Sequence, residues 1–291
     1  YSEVMMSVLN DMADAPTFGP ILSNPIFNGM TITEMLGVMA KEAFTRTDAV
    51  VALGGGVATD MGGFAAAIFL RGIKVYQMPT SLLAQVDASV GGKTGIDLKE
   101  GKNLVGAFHQ PSLVLADTSL LKSLKPETFT EGMAEVIKMA FISDKNLYET
   151  LKTKVTQESA NLEDVVARCV ELKAYVVEQD EHDNGLRQTL NFGHTIGHVI
   201  ERDSNFTLSH GFAVAKGMMR ISAKSPILPE LEEMLKLYEF PYVDETPADQ
   251  IIAGIMNDKK KRGSTITAAL VNEIGSCELK KMTVDEFRDL L

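Results

Sequence analysis

The sequence predicts an α/β N-terminal domain followed by a mainly α-helical C-terminal domain. Between about residues 49 and 118, short aliphatic runs alternate with glycine-marked turns, and a strand–turn–helix–strand order is typical of a parallel sheet covered by helices. From about residue 127 onward, apolar residues recur at intervals of three and four, the period of a buried helix face. The 291 residues suffice for two modest domains, and we place their boundary between residues 122 and 123.

Each element of the N-terminal domain has its own signal. ITEMLGVMAKEAF (32–44) has helical spacing, and AVVALGGG (49–56) is a β-branched and aliphatic strand that ends in three glycines. The Ala-rich segment VATDMGGFAAAIFLRG (57–72) predicts a helix that the last glycine closes. Two further strands are predicted at IKVYQMPTS (73–81) and SLVLADT (112–118).

The segment VDASVGGKTGIDLKEGKNLVGAF (86–108) contains polar residues suited to ligand binding but no clear pattern of secondary structure. Its five glycines make it poor as helix or strand, so we predict a loop that wraps a ligand. Lys93 and Lys102 each follow a glycine, and Asp87 and Asn103 lie in the same segment. One such lysine is usually a solvated surface charge, but two in one glycine-rich segment favour an anion site.

The C-terminal domain is predicted to be helical except near its end. The helical segments are ETFTEGMAEVIKMAFI (127–142), NLYETLKTKVTQES (146–159), NLEDVVARCVELKAYVVEQD (161–180), GFAVAKGMMRISAKS (211–225) and LPELEEMLKLYEF (228–240). STITAALVNEIGSCEL (264–279) predicts a short hairpin. A cleft between two such domains is a common place for a small-molecule site.

Composition excludes several classes of function. The sequence has no run of 18 or more apolar residues, so no membrane span is predicted. The net charge of −11 argues against a nucleic-acid partner. Cys169 and Cys277 have no metal-binding spacing, so we expect a reducing cytoplasm. The start, YSEVMMSVLNDM, has neither an initiator Met nor the features of a signal peptide, so we expect that the N-terminus is truncated.

The turn LGGGVATD suits an anionic ligand. Gly54, Gly55 and Gly56 let the backbone approach a ligand closely, and N–H groups at a helix start favour an anion such as a dinucleotide pyrophosphate. The turn departs from the G-x-G-x-x-G pattern, so a purely structural strand–helix turn remains an alternative. Asp60 is either a helix cap or a polar contact to the ligand.

A second group of polar residues has the chemistry of a metal site. In GMAEVIK, Glu135 lies three residues before Lys138 on an apolar helix, so it is either paired with that lysine or bound to something else. In LNFGHTIGH, His194 and His198 have helical i, i+4 spacing and on that basis would be the two imidazole ligands. His210 follows in LSHG. One Glu and two His form a known catalytic zinc set, but a structural role stays open for each histidine.

Taken together, these segments resemble the 3-dehydroquinate synthases and, more broadly, the sugar-phosphate cyclases. The resemblance rests on ordered motifs between Ala49 and Gly275, namely GGGVATD, RGIKVYQMPTSLLAQVDASVGGKTGID, GKNLVGAFHQP, GMAEVIK, GLRQTLNFGHTIGH, SHG and DKK. It implies a Rossmann-like NAD-binding α/β domain at 1–122 and a helical metal- and substrate-binding domain at 123–291. The family's first strand and its acidic-lysine motif for the adenosine end of the cofactor are not visible upstream of Ala49.

The resemblance also implies a reaction. Such an enzyme is a lyase of the shikimate pathway, in aromatic amino acid biosynthesis, and uses NAD and Zn²⁺, with Co²⁺ as another possible metal. It converts 3-deoxy-D-arabino-heptulosonate 7-phosphate to 3-dehydroquinate and phosphate by oxidation, phosphate elimination, re-reduction and intramolecular aldol closure. A cytoplasmic homodimer is implied, with Arg71 supplied to the phosphate from the neighbouring subunit.

The family's roles map onto this chain position by position. The implied metal ligands are Glu135, His194 and His210, and His198 would face the substrate instead. The implied catalytic residues are Asp87, Lys93, Asn103, Lys138, Asp183 and His198. The implied substrate-binding residues are Arg71, Lys93, Lys102, Asn103, Lys138, Lys173, Arg187, Asn191, His198 and Lys260. The implied NAD-binding residues are Gly54, Gly55, Gly56, Asp60, Thr80, Ser81, Asp87, Lys93 and Lys102.

Two departures from the family pattern and three alternatives remain. Asp183 stands where the family usually has Glu, and Phe212 follows the His-Gly pair where Glu or Gln is usual. Changes beside a ligand can weaken metal affinity about 10–100-fold. The alternatives are a cyclase for another sugar phosphate, an NAD-dependent metal-containing polyol dehydrogenase that releases NADH, and a non-catalytic relative.

Overall fold

The computed structural model describes residues 31–98, 101–259 and 265–291. Its contacts divide the chain into two compact units, with the boundary along the chain between Lys125 and Pro126. This boundary lies three residues after the one placed from the sequence. The first unit is α/β and the second is mainly helical, which confirms the predicted order of fold types. Within the described residues, no helix is both long and apolar enough to cross a membrane.

The first unit contains two helices and five strands in the described part of the chain. They are α1 (Ile32–Lys41), β1 (Ala49–Gly54), α2 (Gly56–Ile68), β2 (Lys74–Pro79), β3 (Lys93–Leu98), β4 (Gly101–Phe108) and β5 (Leu113–Val114). A parallel sheet has the strand order β1-β2-β5. The register runs from Ala49 opposite Lys74 to Gly54 opposite Pro79, so β1 and β2 end at the same edge.

Helix α2 covers this sheet because small residues face it. A methyl group built on Gly62 would lie 2.7 Å from the Cβ atom of Ala52, so only glycine allows the helix to approach β1 this closely. The α-helix ends at Ile68, earlier than predicted, and a 3-10 turn continues to Arg71. Leu70 and Arg71 have φ of 48° and 70°, and such left-handed backbone terminates a helix.

The prediction of a ligand-wrapping loop over residues 86–108 was wrong for most of that segment. β3 and β4 form an antiparallel two-stranded sheet in which Gly95 lies opposite Gly106. A Cβ atom on Gly95 would lie 2.8 Å from the carbonyl oxygen of Val105, and one on Gly106 would collide with that of Thr94. The glycines therefore permit close strand pairing, a use of glycine that composition alone does not distinguish from a loop.

The second unit consists of helices and one hairpin. In chain order its elements are α3 (Pro126–Ser143), α4 (Lys145–Leu151), α5 (Leu162–Gln179), α6 (His194–Asp203), α7 (His210–Ile221), α8 (Leu228–Leu237), α9 (Ala248–Lys259), β6 (Thr265–Glu273), β7 (Ser276–Thr283) and α10 (Val284–Arg288). The antiparallel pair β6–β7 confirms the predicted hairpin. Helix α3 is buried from Gly132 to Ile142, so its polar side chains lie in the core.

Helix α4 is shorter than its sequence pattern predicted. The helical prediction extended to Ser159, but the helix ends at Leu151. The phenol of Tyr238 donates a hydrogen bond to the carbonyl oxygen of Leu151 and accepts one from the backbone N–H of Val155. A side chain distant in sequence thus provides hydrogen bonds to backbone groups at and just after the end of the helix. No local sequence pattern predicts such a contact.

Candidate functional site

The site is built around a carboxylate in the middle of the buried helix α3. Glu135 and Lys138 are 1% and 2% exposed and form an ion pair. Neither carboxylate oxygen of Glu135 has a hydrogen bond of acceptable geometry among the described residues. Burial by itself raises the pKa of Glu135, but the Lys138 ammonium and the His194 ring outweigh it and hold this pKa well below its usual range. The site therefore holds a buried negative charge.

Two histidines, from helices α6 and α7, face this carboxylate. The Nε2 atoms of His194 and His210 lie 3.4 Å and 3.6 Å from the Oε1 atom of Glu135. The three ligand atoms all lie within 4.8 Å of one another. Each histidine is the first residue of its helix, α6 or α7, so the fold gathers three donors from three segments. One carboxylate and two imidazoles fit a zinc-like divalent cation and leave a coordination position open.

The two imidazoles differ in charge. Burial and the nearby Lys138 ammonium lower the pKa of His194, so its ring is neutral at pH 7 and can donate a lone pair. Burial also lowers the pKa of His210, but its contacts with Glu135 and Glu201 outweigh burial and raise this pKa to about 9. A metal ion bound at His210 would displace that proton.

His198 lies beside this group but not within it. Its ring centroid is 5.4 Å from that of His194 and 5.8 Å from that of His210, and its side chain is exposed. The i, i+4 spacing within α6 pointed to His194 and His198 as a ligand pair. The structure instead groups His194 with His210 and Glu135, because α7 packs closely against α6. Residue spacing within α6 carries no information about that packing.

Glycines make that close approach possible. A Cβ atom on Gly217 of α7 would overlap the carbonyl oxygen of Gly193 and lie 2.8 Å from the backbone nitrogen of Gly197. A Cβ atom on Gly197 would lie 2.9 Å from the carbonyl oxygen of Ala213. Gly211, next to His210, is equally close to the backbone of Glu131 on α3. Backbone contact at these positions sets the separation of the three donor-bearing helices.

Of the remaining polar residues predicted in this unit, Lys173 and Arg187 are buried, whereas Asp183 and Asn191 are half-buried. Lys173 and Arg187 are 5% and 2% exposed, and the Nη1 atom of Arg187 donates a hydrogen bond to the carbonyl oxygen of Glu181 at 2.6 Å. Asp183 has a left-handed φ of 58°, and Asn191 ends a 3-10 turn directly before α6. Lys260 lies outside the described residues.

Phe212, the other departure from the family pattern, has a clear packing role. Its ring makes an edge-to-face contact with Phe240, with centroids 5.8 Å apart. Both residues belong to the second unit. The aromatic side chain beside His210 is therefore held by an apolar contact.

In the first unit, several of the predicted cofactor-binding residues lie at the carboxyl ends of β1 and β2. The backbone N–H of Thr80 donates to the carbonyl oxygen of Gly54 at 2.8 Å, and a Cβ atom on Gly55 would lie 3.4 Å from the Oγ atom of Ser81. Gly55 is the N-cap of α2, whose first residue is Gly56. Backbone N–H groups at the start of a helix that follows a strand suit a phosphate-bearing ligand. Asp60 follows on the same helix.

Three other predicted residues of this unit lie on the antiparallel pair β3–β4. Lys93 begins β3, while Lys102 and Asn103 lie on β4, and all three are exposed. Asn103 has a left-handed φ of 53° and donates its backbone N–H to the Oδ1 atom of Asp97 at 2.8 Å. Asp87 precedes them in a π-helical turn at Ala84–Ala88, a conformation often found at functional sites.

Arg71 lies at the opposite edge of the parallel sheet. It precedes β2, whereas the glycine turn follows β1. The two strands have six residues each, so roughly 16 Å separates the edges. Arg71 lines an open cleft of about 510 Å³ with Arg46, Lys74 and His109. Within its own unit, Arg71 therefore lies at the far edge of the sheet from the glycine turn.

One residue of the site, Glu201, was missed at the sequence level. Its carboxylate is buried at 3% exposure, and the Oε2 atom lies 3.5 Å from the Nδ1 atom of His210. A helical signal existed, since Glu201 follows His194 by seven residues and positions seven apart share one helix face. Without the position of α7, this spacing does not indicate that Glu201 contacts His210.

Comparisons with known proteins cover both units. Residues 27–131 match the family model described as 3-dehydroquinate synthase N-terminal, and residues 132–261 match the one described as 3-dehydroquinate synthase C-terminal. The 3-dehydroquinate synthase of Clostridium botulinum (strain Alaska E43 / Type E3) is 45% identical over 256 residues, which span 84% of this chain and 73% of the relative.

Solved structures give the same architecture. The 2-epi-5-epi-valiolone synthase of Streptomyces hygroscopicus subsp. jinggangensis 5008, solved with NAD⁺ and Zn²⁺ bound, matches with a TM-score of 0.80 and 25% identity over 89% of this chain and 77% of that chain. A 2-deoxy-scyllo-inosose synthase complexed with carbaglucose-6-phosphate, NAD⁺ and Co²⁺ matches with a TM-score of 0.76 and 26% identity over the same shares.

The packing of α6 against α7 gives a test of the site geometry. In a Gly217→Ala variant the added methyl group forces the two helices apart. We expect a loss of about 1–3 kcal/mol in the free energy of unfolding and weaker binding of a divalent cation, measured by urea unfolding and by equilibrium titration.

The matched control is Gly37→Ala on α1, where an added Cβ atom has no neighbour within 4 Å. This change is expected to be neutral or to stabilise by about 0.5–1 kcal/mol, because alanine replaces glycine inside a helix. Equal behaviour of the two variants would show that the close approach of α6 and α7 is not required.

Proposed function

Because the chain belongs to the 3-dehydroquinate synthase family, we propose that it converts 3-deoxy-D-arabino-heptulosonate 7-phosphate to 3-dehydroquinate and phosphate. The family assignment confirms the resemblance that the ordered motifs indicated. The observation that carries the proposal is the grouping of Glu135, His194 and His210 within 4.8 Å in a chain whose two halves both match the family. The reaction requires that a single substrate reach this group and the cofactor.

The metal and the cofactor have separate binding groups in the proposal. Glu135, His194 and His210 hold the metal, and the turn at Gly54–Gly56 holds the pyrophosphate of NAD. When bound, NAD would accept and return a hydride, and the divalent ion would stabilise negative charge on the substrate oxygens. The Zn²⁺ or Co²⁺ and NAD⁺ bound by structurally similar cyclases support this choice.

Cationic side chains bind the two anionic ends of the substrate. Lys173 and Arg187 are buried, and desolvated cations bind a carboxylate more strongly than exposed ones do. Exposed Lys93 on β3 and Lys102 on β4 bind the phosphate. His198, exposed beside the metal ligands, is positioned to exchange a proton with the substrate, and Asn191, Lys138 and Asp183 complete the polar lining.

A related cyclase with another substrate is the second candidate. The TM-scores of 0.80 and 0.76 to two other cyclases favour it at the level of fold. Identity of 45% to a 3-dehydroquinate synthase, against 25% and 26% to those cyclases, supports the carboxylate-bearing substrate.

We also propose that the enzyme is a homodimer in which the partner subunit's Arg71 reaches the substrate phosphate. Arg71 lies at the wrong edge of its own sheet to join the glycine turn. Strand β4 exposes the apolar side chains of Leu104, Val105 and Phe108, at 59%, 37% and 46%. β4 pairs only with β3 among the described strands, so its other edge is available to a second copy.

The location proposed for this enzyme is the cytoplasm. Both cysteines are free thiols, and Cys169 is buried. Burial raises the pKa of the Cys277 thiol to about 12, so this thiol is unreactive at neutral pH. Two unpaired thiols suit a reducing compartment.

An activity assay separates the candidates. With catalytic NAD, zinc and the heptulosonate phosphate, we expect phosphate release without a net increase in absorbance at the NADH band. The reason is that the hydride returns to the product within each turnover. Glucose 6-phosphate, which carries a phosphate but no carboxylate, is expected to release none. Steady NADH accumulation would point to a polyol dehydrogenase, and turnover of glucose 6-phosphate to another cyclase.

The assignment of the metal ligands is tested with two histidine variants. His210→Ala is expected to lose both turnover and zinc retained through dialysis, because it removes one of three ligands. His198→Ala is expected to lose turnover but to keep one equivalent of zinc, measured by atomic absorption. The opposite pattern of zinc retention would make His198 the ligand and reject the grouping proposed here.

Shared sites in the dimer are tested by mixing two inactive variants. Arg71→Ala lacks the residue donated to the partner, and His210→Ala lacks a metal ligand of its own site. Subunit exchange is expected to restore activity to about one quarter of the wild-type value, because half of the randomly formed dimers carry one intact site. No recovery, in mixtures shown by sedimentation to contain mixed dimers, would place Arg71 outside the neighbouring site.

A further inference from the structure

His210 lies between two carboxylates that contact different ring atoms. Its Nε2 atom is 3.6 Å from Glu135, and its Nδ1 atom is 3.5 Å from Glu201. Glu201 lies on α6, its carboxylate is 4% exposed, and His210 begins α7 with 28% exposure. The buried carboxylate therefore meets the side of the imidazole that points away from the candidate metal position.

A histidine that binds a metal through Nε2 must carry its proton on Nδ1. A hydrogen-bond acceptor at Nδ1 selects that tautomer and fixes the orientation of the ring. His210 needs such a partner because it is partly exposed at the first residue of a helix, where preceding turns do not confine its side chain. Glu201 is buried on the neighbouring helix and provides a fixed acceptor.

The two imidazoles are oriented by different means. The Nδ1 atom of His194 lies 3.2 Å from the carbonyl oxygen of Phe192, so its partner is backbone and needs no particular side chain. The corresponding partner of His210 is the carboxylate of Glu201. A substitution at Glu201 should therefore act on one ligand and leave the other in place.

Charge gives a second reason for this carboxylate. Glu135 is already in contact with the Lys138 ammonium, which opposes the approach of a dication. A second buried carboxylate near His210 adds negative charge at a distance where a low-dielectric interior screens it weakly. Its charge also strengthens the hydrogen bond to the ring and the basicity of Nε2.

We propose that Glu201 is a positioning residue that orients His210 through Nδ1 and so raises the affinity of the site for a divalent metal. This inference rests on the metal site put forward above. Glu201 acts through His210 and makes no contact with the metal or the substrate in this proposal.

The test is the zinc affinity of metal-free protein, measured by chelator competition in a double-mutant cycle. Glu201→Gln keeps the shape of the side chain and removes its charge. We expect its zinc affinity to fall about 10–100-fold, with the thermal midpoint of the metal-free protein unchanged. The control Asp203→Asn removes a carboxylate from the same helix, where it contacts Arg202 and Gln250, and is expected to leave the zinc affinity unchanged.

The decisive comparison repeats Glu201→Gln in a His210→Ala background, in which zinc relies on Glu135 and His194. We expect no further loss there, because the residue through which Glu201 acts is gone. A loss as large as in the wild-type background would overturn the inference, since Glu201 would then act on the fold or on the metal directly. Glu201→Asp, measured through the same cycle, serves if the Gln variant does not fold.

The outcomes also separate this inference from the proposed function. If His210→Ala binds zinc as tightly as the wild type, the proposed metal site itself is wrong. If zinc affinity depends on His210 but not on Glu201, the metal site stands and only the positioning role is rejected.

Discussion

The buried carboxylate of Glu135 is the constraint from which the rest of the site follows. A carboxylate at 1% exposure loses the solvation that stabilises its charge, and this cost must be offset by cations or by strong polar contacts. Lys138 on the same helix supplies one cation, and the Nε2 atoms of two histidines lie within 3.6 Å. A buried carboxylate beside two imidazoles would be costly in a purely structural core. It suits a bound metal ion, whose positive charge would offset the desolvation cost of the carboxylate.

The position of that carboxylate has consequences for backbone packing. His194 and His210 can approach Glu135 only because α6, α7 and α3 meet at positions where a side chain is excluded, such as Gly217 and Gly211. The separation of the donors is therefore set by backbone contact, which is stiffer than contact between flexible side chains. Ligands held in this way are preorganised, so little order has to be gained when a cation binds.

The chain carries a net charge of −11, but its site residues include several cations that lie in different environments. Buried Arg187 can hold an anion in a medium of low dielectric constant, whereas exposed Lys93 and Lys102 act in contact with water. Arg71 lies at the far edge of the sheet from the glycine turn. This division suits the proposed substrate, which has two anionic ends, and the proposed contact of its phosphate with the partner's Arg71.

The sequence by itself determined the order of α/β and helical parts, most element positions and the candidate polar residues, because hydrophobic period and glycine-marked turns are local signals. Residue spacing favoured His194 and His198 as the pair, whereas the family resemblance implied His194 and His210. Tertiary structure decided between them by grouping His194 and His210 with Glu135, because the distance between α6 and α7 depends on glycines whose partners are remote in sequence. It also paired strands Lys93–Leu98 and Gly101–Phe108 and brought Glu201 to His210. These outcomes depend on contacts between segments, which spacing along one segment does not encode.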